Sequence, residues 1–245
     1  MSAPNESARK GGAGGWTLER LAPVFGIVFS ILLIVAHVMR GLTPGPDESP
    51  QEILEYFEDH RQVVLVSVYM LVIGNFFLIA FGGLLWRALR AVEREPAWLA
   101  SVAFAGVILA GATSAIANAF YASAAFRADG SLAPHSAQTL LDMGERFRQQ
   151  WSGLAIMLLA AGVVILRTNV FPRWLAWLGF GCVLLWLIAA FPSGDDANVS
   201  LQLFDVGGGV AIVGAVVWIV VVSLRIGRGE RQRAPAGEPA PAASR

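Results

Sequence analysis

Six stretches of this chain are apolar over lengths that match a lipid bilayer, and that feature leaves few folds open. A helix crossing about 30 Å of hydrocarbon needs roughly 20 mainly apolar residues. Leu21–Met39, Val63–Trp86, Trp98–Phe126, Trp151–Leu166, Trp174–Phe191 and Leu203–Leu224 meet or approach that length. Five of the six contain no Asp, Glu, Lys or Arg, and the sixth contains one, Asp205. Lipid offers the backbone no hydrogen-bond partner, so each stretch must satisfy its own amides as a helix. The expected fold is all-α: a polytopic membrane helical bundle of six transmembrane helices. The third span is long enough to tilt or project from the membrane, and the fourth is short.

Composition narrows the function classes. The chain is 56% hydrophobic and 15% charged, where a soluble domain carries about 25% charged residues. The missing charge points to the lipid bilayer as the main partner. The net charge is zero, so no basic field suggests nucleic acid. Of 18 basic residues only Lys10 is a lysine. It lies in the polar N-terminal tail, which leaves no buried Schiff-base lysine. Cys182 is the only cysteine, so an intrachain disulfide, a thiol redox pair and a cysteine metal cluster are all excluded. One span histidine is too few for paired axial haem ligation. The zinc-protease H-E-x-x-H, the G-x-S-x-G elbow and the P-loop are all missing. His60-Arg61, His135 and Gly194-Asp195-Asp196 stand in loops. The sequence therefore leans away from an enzyme, names no catalytic residue and calls for no metal or cofactor.

Arginine placement orients the bundle. The N-terminal tail, the second and fourth connections and the C-terminal tail hold thirteen basic residues, from Arg9 and Lys10 to Arg245. The opposite side holds Arg40, Arg61, Arg127, Arg146 and Arg148. Basic residues favour the cytoplasmic side, which places both termini inside. Trp16, Trp86, Trp98, Trp151, Trp174 and Trp177 fall at or near span ends, where indole rings favour the interface. Residues 1–20 read as a disordered cytoplasmic tail, 21–225 as the six-span domain and 226–245 as a disordered basic tail. The first span reads as uncleaved, because no small-x-small site follows it.

Two outer connections carry amphipathic helices. After Pro44 and Pro46, Ser49 can cap a helix with Pro50 at its first position and Glu52 completing a capping box. Pro50–His60 then groups Ile53, Leu54 and Phe57 on one side. Asp129-Gly130 makes a turn. A second helix from about Pro134 places Ala137, Leu140, Leu141, Gly144, Phe147 and Trp151 at helical spacing. Within the spans, Gly106, Ala110, Ser114 and Asn118 form a small-residue stripe, as do Gly207, Ala211 and Ala215. Such stripes let helices approach closely, and a homo-oligomeric interface is an alternative use for them. Gly207-Gly208-Gly209 can loosen the outer end of the sixth span.

Polar residues inside spans are costly and mark candidate sites. His37, Asn118, Tyr121, Ser152 and Asp205 fall in the outer half, and Asn75 lies nearer the middle. Together they can line an outward-facing polar pocket, in which His37 and Asp205 can pair as a proton-sensitive site.

Two further stretches are suggestive: Pro172-Arg173-Trp174-Leu175-Ala176-Trp177-Leu178-Gly179 at the entry to span five, and Ser49-Pro50 with Glu55-Tyr56-Phe57 and Asp59-His60-Arg61 before span two. With the six-span layout they resemble a family of bacterial integral membrane proteins described as a domain of unknown function, over roughly residues 20–225. The resemblance implies the fold and a bacterial inner-membrane location, and it supplies no catalytic residues. The expected function is a non-enzymatic membrane protein that binds a small or lipidic ligand, as sensor, scaffold or transport component. A secondary transporter, an intramembrane enzyme and a purely structural bundle are the alternatives.

Overall fold

A computed structural model describes residues 21–41, 43–45, 48–94, 96, 98–148, 152–189 and 197–233, excepting the side chains of 22, 148, 197–207 and 229–233. Among the described residues there are eight helices and no strand. They are α1 (Ala22–Arg40), α2 (Pro50–Asp59), α3 (Arg61–Arg90), α4 (Leu99–Arg127), α5 (Pro134–Arg148), α6 (Ser152–Thr168), α7 (Arg173–Ala189) and α8 (Ala197–Arg233).

Length and composition mark five candidate membrane spans where hydropathy along the sequence leads one to expect six. They are Pro23–Arg40, Arg61–Arg90, Leu99–Arg127, a stretch from Pro134 to Thr168 that takes in α5 and α6, and Gly208–Arg228. The remaining apolar helix, α7, has 17 residues. At 1.5 Å per residue it reaches about 26 Å, just short of the hydrocarbon thickness. The chain is an all-helical, multi-pass membrane protein. α8 stays helical through Gly207-Gly208-Gly209 and on to Arg233, so the glycines do not break it and the helix runs into the segment read from sequence as tail. The N-terminal tail and the C-terminal residues 234–245 lie outside the described residues.

The six long helices close a ring in chain order. α1 packs on α3, α3 on α4, α4 on α6, α6 on α7, α7 on α8, and α8 back on α1. One large core fills the ring, with Phe81, Leu85, Met157, Leu158, Leu175, Trp218 and Ile219 almost fully buried. Trp218 donates its indole N–H to the Leu175 carbonyl at 3.0 Å, joining α8 to α7. Cys182 is buried in this core as a small apolar side chain.

α4 and α6 come into backbone contact at two glycines. A methyl group on Gly106 would lie 2.6 Å from Gly153 O and from Met157 N, so the two backbones touch there. Only glycine permits that approach. The stripe expected from sequence divides along α4: Gly106 and the Ala110 backbone meet Gly153 of α6, while the Ala110 side chain, Ser114 and Asn118 line a cavity. In α8, Ala211 and Ala215 are buried.

A second, smaller core forms at one end of the bundle. α3 has 30 residues and α4 has 29, about 45 Å each, so both exceed the hydrocarbon thickness. Val64 of α3 and Tyr121, Ala124 and Ala125 of α4 pack against Ile53, Leu54 and Phe57 of α2 and Ala137 and Leu141 of α5. These faces of α2 and α5 are the ones their sequence periodicity requires. The Ser49 capping box is formed: Ser49 Oγ accepts from Glu52 N, and the Glu52 carboxylate accepts from Ser49 N at 2.8 Å. Asp129-Gly130 makes the turn into α5, with Gly130 at φ +97°, where only glycine is unstrained. α2 and α5 touch each other, and together they form a cap. The opposite end carries Arg87 and Arg90 of α3, Arg167 of α6 and Arg225 and Arg228 of α8.

Candidate ligand-binding site

Between the ring core and the cap lies a cavity of about 80 Å³, roomy enough for several waters. Its lining is apolar at Phe29 and Leu33 of α1, Leu71 and Leu78 of α3, Ala110 of α4 and Leu154 of α6. It is polar at His37 and Arg40 of α1, Asn75 of α3, and Thr113, Ser114, Asn118 and Tyr121 of α4, with Arg40 and Tyr121 toward the cap. Phe147 of α5 closes the cap side and stacks on Phe120 with centroids 5.9 Å apart.

Arg40 is the dominant charge. It ends α1 and is only 6% exposed. Its side chain turns into the bundle instead of reaching out to headgroups. Nε and Nη2 donate to Ser67 Oγ at 3.2 and 3.1 Å, and Nη2 also donates to Asn118 Oδ1 at 3.4 Å. The guanidinium carbon sits 4.2 Å from the Tyr121 ring centroid, a cation–π distance. Tyr56 of the cap donates its hydroxyl to the Arg40 carbonyl at 3.1 Å, and Tyr121 donates its hydroxyl to Glu145 Oε1 of α5. The cap is therefore tied to the bundle through Arg40 and Tyr121. Burial raises the Tyr56 pKa above its usual value near 10; the Arg40 charge opposes that rise and the Glu145 charge adds to it. Tyr56 thus remains a neutral donor at physiological pH, and Arg40 and Glu145 both act at one point beneath the cap.

The other polar residues are anchored by backbone carbonyls. His37 Nδ1 lies 2.8 Å from Leu33 O, and a carbonyl can only accept, so Nδ1 carries a proton. Asn75 Nδ2 donates to Gly111 O on α4 at 3.4 Å, and Asn118 Nδ2 donates to Ser114 O at 2.9 Å.

Of the residues nominated from sequence, His37, Asn75, Asn118 and Tyr121 meet around this one cavity. Ser152 is exposed at the start of α6 and is not part of the wall; Leu154 takes that place. α8 lies beside α1, but the Asp205 side chain, and with it the pairing to His37, lies outside the described residues. Sequence reasoning misses Arg40, Ser67, Ser114, Tyr56 and Glu145 as site residues. From sequence Arg40 counts only as a topological charge. A signal for Glu145 is present: it continues the buried stripe Ala137–Leu141 at four-residue spacing.

The arrangement joins an apolar slot to a polar roof that holds a buried cation, which suits an amphiphilic molecule. Among the described residues no group of His, Cys, Asp and Glu side chains could hold a metal.

No curated protein and no solved structure matches the chain. One family model does match, over residues 21–223, and so the chain belongs to the family described as Domain of unknown function (DUF4386).

Proposed function

We propose that this protein is a six-span protein of the bacterial inner membrane, with both termini cytoplasmic, that binds a small or lipidic ligand in an outward-facing pocket. The ring supports six spans, because α7 occupies the same kind of position as α1, α3, α4, α6 and α8. An even number of spans puts both termini on one side, and the arginine distribution makes that side the cytoplasm. The cap then lies outside. One observation carries the functional reading: the cavity is lined by Arg40, His37 and Asn118 toward its capped end and by Phe29, Leu33 and Leu78 further from the cap. The ligand's polar end lies under the cap, and its apolar part points toward the middle of the bundle.

The structural-bundle reading has its own support, since His37, Asn75 and Asn118 each bond to a backbone carbonyl. The enzyme reading has the Tyr121–Glu145 hydrogen bond, the minimum of two titratable groups within reach. A transporter of the broken-helix kind would interrupt its spans, whereas α1, α3, α4 and α8 each run as one unbroken helix.

Native mass spectrometry of the protein extracted in mild detergent decides among these readings. The ligand reading predicts a co-purifying small molecule or lipid that is lost from Ser114→Phe, which fills the cavity. An empty wild-type protein, or equal occupancy in Ser114→Phe, would favour the structural bundle.

A further inference from the structure

The arginine-rich end of the bundle contains a second, larger cavity of about 400 Å³. It lies between the α3–α4 connection and the end of α6, lined by Glu93, Arg94, Pro96, Trp98, Arg167 and Thr168, with Leu99 and Val164 as its apolar floor. We propose that this cavity binds the phosphate headgroup of an anionic phospholipid. It is a different site from the capped pocket and does not depend on which leaflet faces the cytoplasm.

Charge supplies the first argument. Arg94 and Arg167 come from different elements, separated in sequence by two spans, and both are exposed where they meet the cavity. Among the described residues Glu93 is the acidic one in the wall, and its carboxylate is committed elsewhere. Oε1 accepts from Leu99 N at 3.0 Å and Oε2 from Ala100 N at 2.9 Å. Those amides open α4, so the carboxylate serves as the cap of a 29-residue helix and faces the positive end of its dipole. The two guanidinium groups thus set the sign of the cavity, and their planar forks suit phosphate oxygens.

Depth supplies the second argument, and it favours a lipid over a free anion. Trp86, Trp98, Trp174 and Trp177 are all substantially exposed at this end, Trp98 at 58% and Trp177 at 65%. Tryptophan collects at the level of lipid headgroups. The cavity opens beside Trp98 and therefore lies at that level, with Leu99 and Val164 leading away from it into the apolar zone. Its volume falls in the range of small-molecule sites, about 300–1,000 Å³. Basic pockets between helix ends at this depth are suited to lipid phosphates.

The test uses the delipidated full-length protein. Phosphatidylglycerol, phosphatidylcholine and inorganic phosphate are titrated separately and followed by native mass spectrometry. Phosphatidylglycerol is expected to bind at least about tenfold more tightly than phosphatidylcholine. Either Arg94→Gln or Arg167→Gln is expected to weaken it about fivefold and the double variant roughly thirtyfold, from about 1 kcal/mol per basic residue near the surface. The Arg94→Lys/Arg167→Lys pair is expected to retain most of the affinity, since an ammonium still binds phosphate as a point charge. Arg127→Gln, at the capped end, is expected to change nothing. Equal phosphatidylglycerol affinity in wild type and the glutamine variants would overturn the proposal. So would equal affinity for the two lipids, or saturation by inorganic phosphate without any lipid preference.

Discussion

Arg40 shows how one side chain decides what a polar cluster is for. At the end of an apolar span an arginine commonly snorkels to the headgroups. Arg40 instead donates to Ser67 and Asn118 and lies over Tyr121. Replacing it with methionine leaves the buried Ser67 and Asn118 oxygens short of a donor, a loss expected to cost about 2 kcal/mol. Arg40→Lys keeps the charge but loses the fork that reaches both partners. We expect thermal unfolding of Arg40→Lys to fall between those of wild type and Arg40→Met; an Arg40→Met variant as stable as wild type would show that the roof does not depend on this residue. At this scale the sequence is half legible. His37, Asn75, Asn118 and Tyr121 can be found because polar residues in apolar runs stand out. Arg40 cannot, because a residue at a span boundary can point either way, and only its partners Ser67 on α3 and Asn118 and Tyr121 on α4 show which.

At the scale of elements, two contacts make predictions. The first is the Gly106–Gly153 crossing, from which the cavity opens toward the cap. Gly106→Val drives a branched side chain into the α6 backbone and is expected to destabilise the bundle by about 3 kcal/mol. A methyl on Gly83 would meet nothing within 4 Å, so Gly83→Ala is expected to stay within about 0.5 kcal/mol of wild type. Thermal unfolding in detergent measures both, and equal losses would deny the crossing its special role. The second contact is the capping box of α2. Ser49→Ala is expected to weaken that helix by about 1 kcal/mol, seen as reduced amide protection over residues 50–59. The backbone and hydroxyl of Ser49 hold the Glu52 carboxyl below its ordinary value of 4.5. Folding therefore favours the ionised form. The stabilisation is complete above the ordinary value and fades as pH falls through the lower folded value. Protection over 50–59, corrected for intrinsic exchange, is expected to drop selectively in that acid range, whereas unchanged protection would mean that the box does not hold α2. Both amphipathic helices and the box are legible in sequence, because proline, serine and glutamate at fixed offsets have one common local solution. The split of the α4 stripe is not, since a small residue suits a helix contact and a cavity wall equally.

For the whole molecule, hydropathy announces the bundle and tryptophan and arginine announce its two ends, but the closed ring is not readable. Span order does not say which helices touch: the stripe that contains Gly106 is legible on α4, but its partner Gly153 on α6 is not. The ring is what places α1, α3, α4 and α6 around one cavity, and the cap is what roofs it. The central claim is that this cavity is a wet, ligand-accessible site facing outward. Single-cysteine accessibility in intact cells, in a Cys182→Ala background, tests it most directly. Ser114→Cys reports the cavity wall, Ser131→Cys the exposed connection at the capped end, and Ser223→Cys the buried α8 position in the ring. With a membrane-impermeant thiol reagent applied from outside, Ser131→Cys and Ser114→Cys are predicted to label and Ser223→Cys to resist. Labelling of Ser131→Cys with full protection of Ser114→Cys would contradict the claim and leave a dry structural bundle in its place.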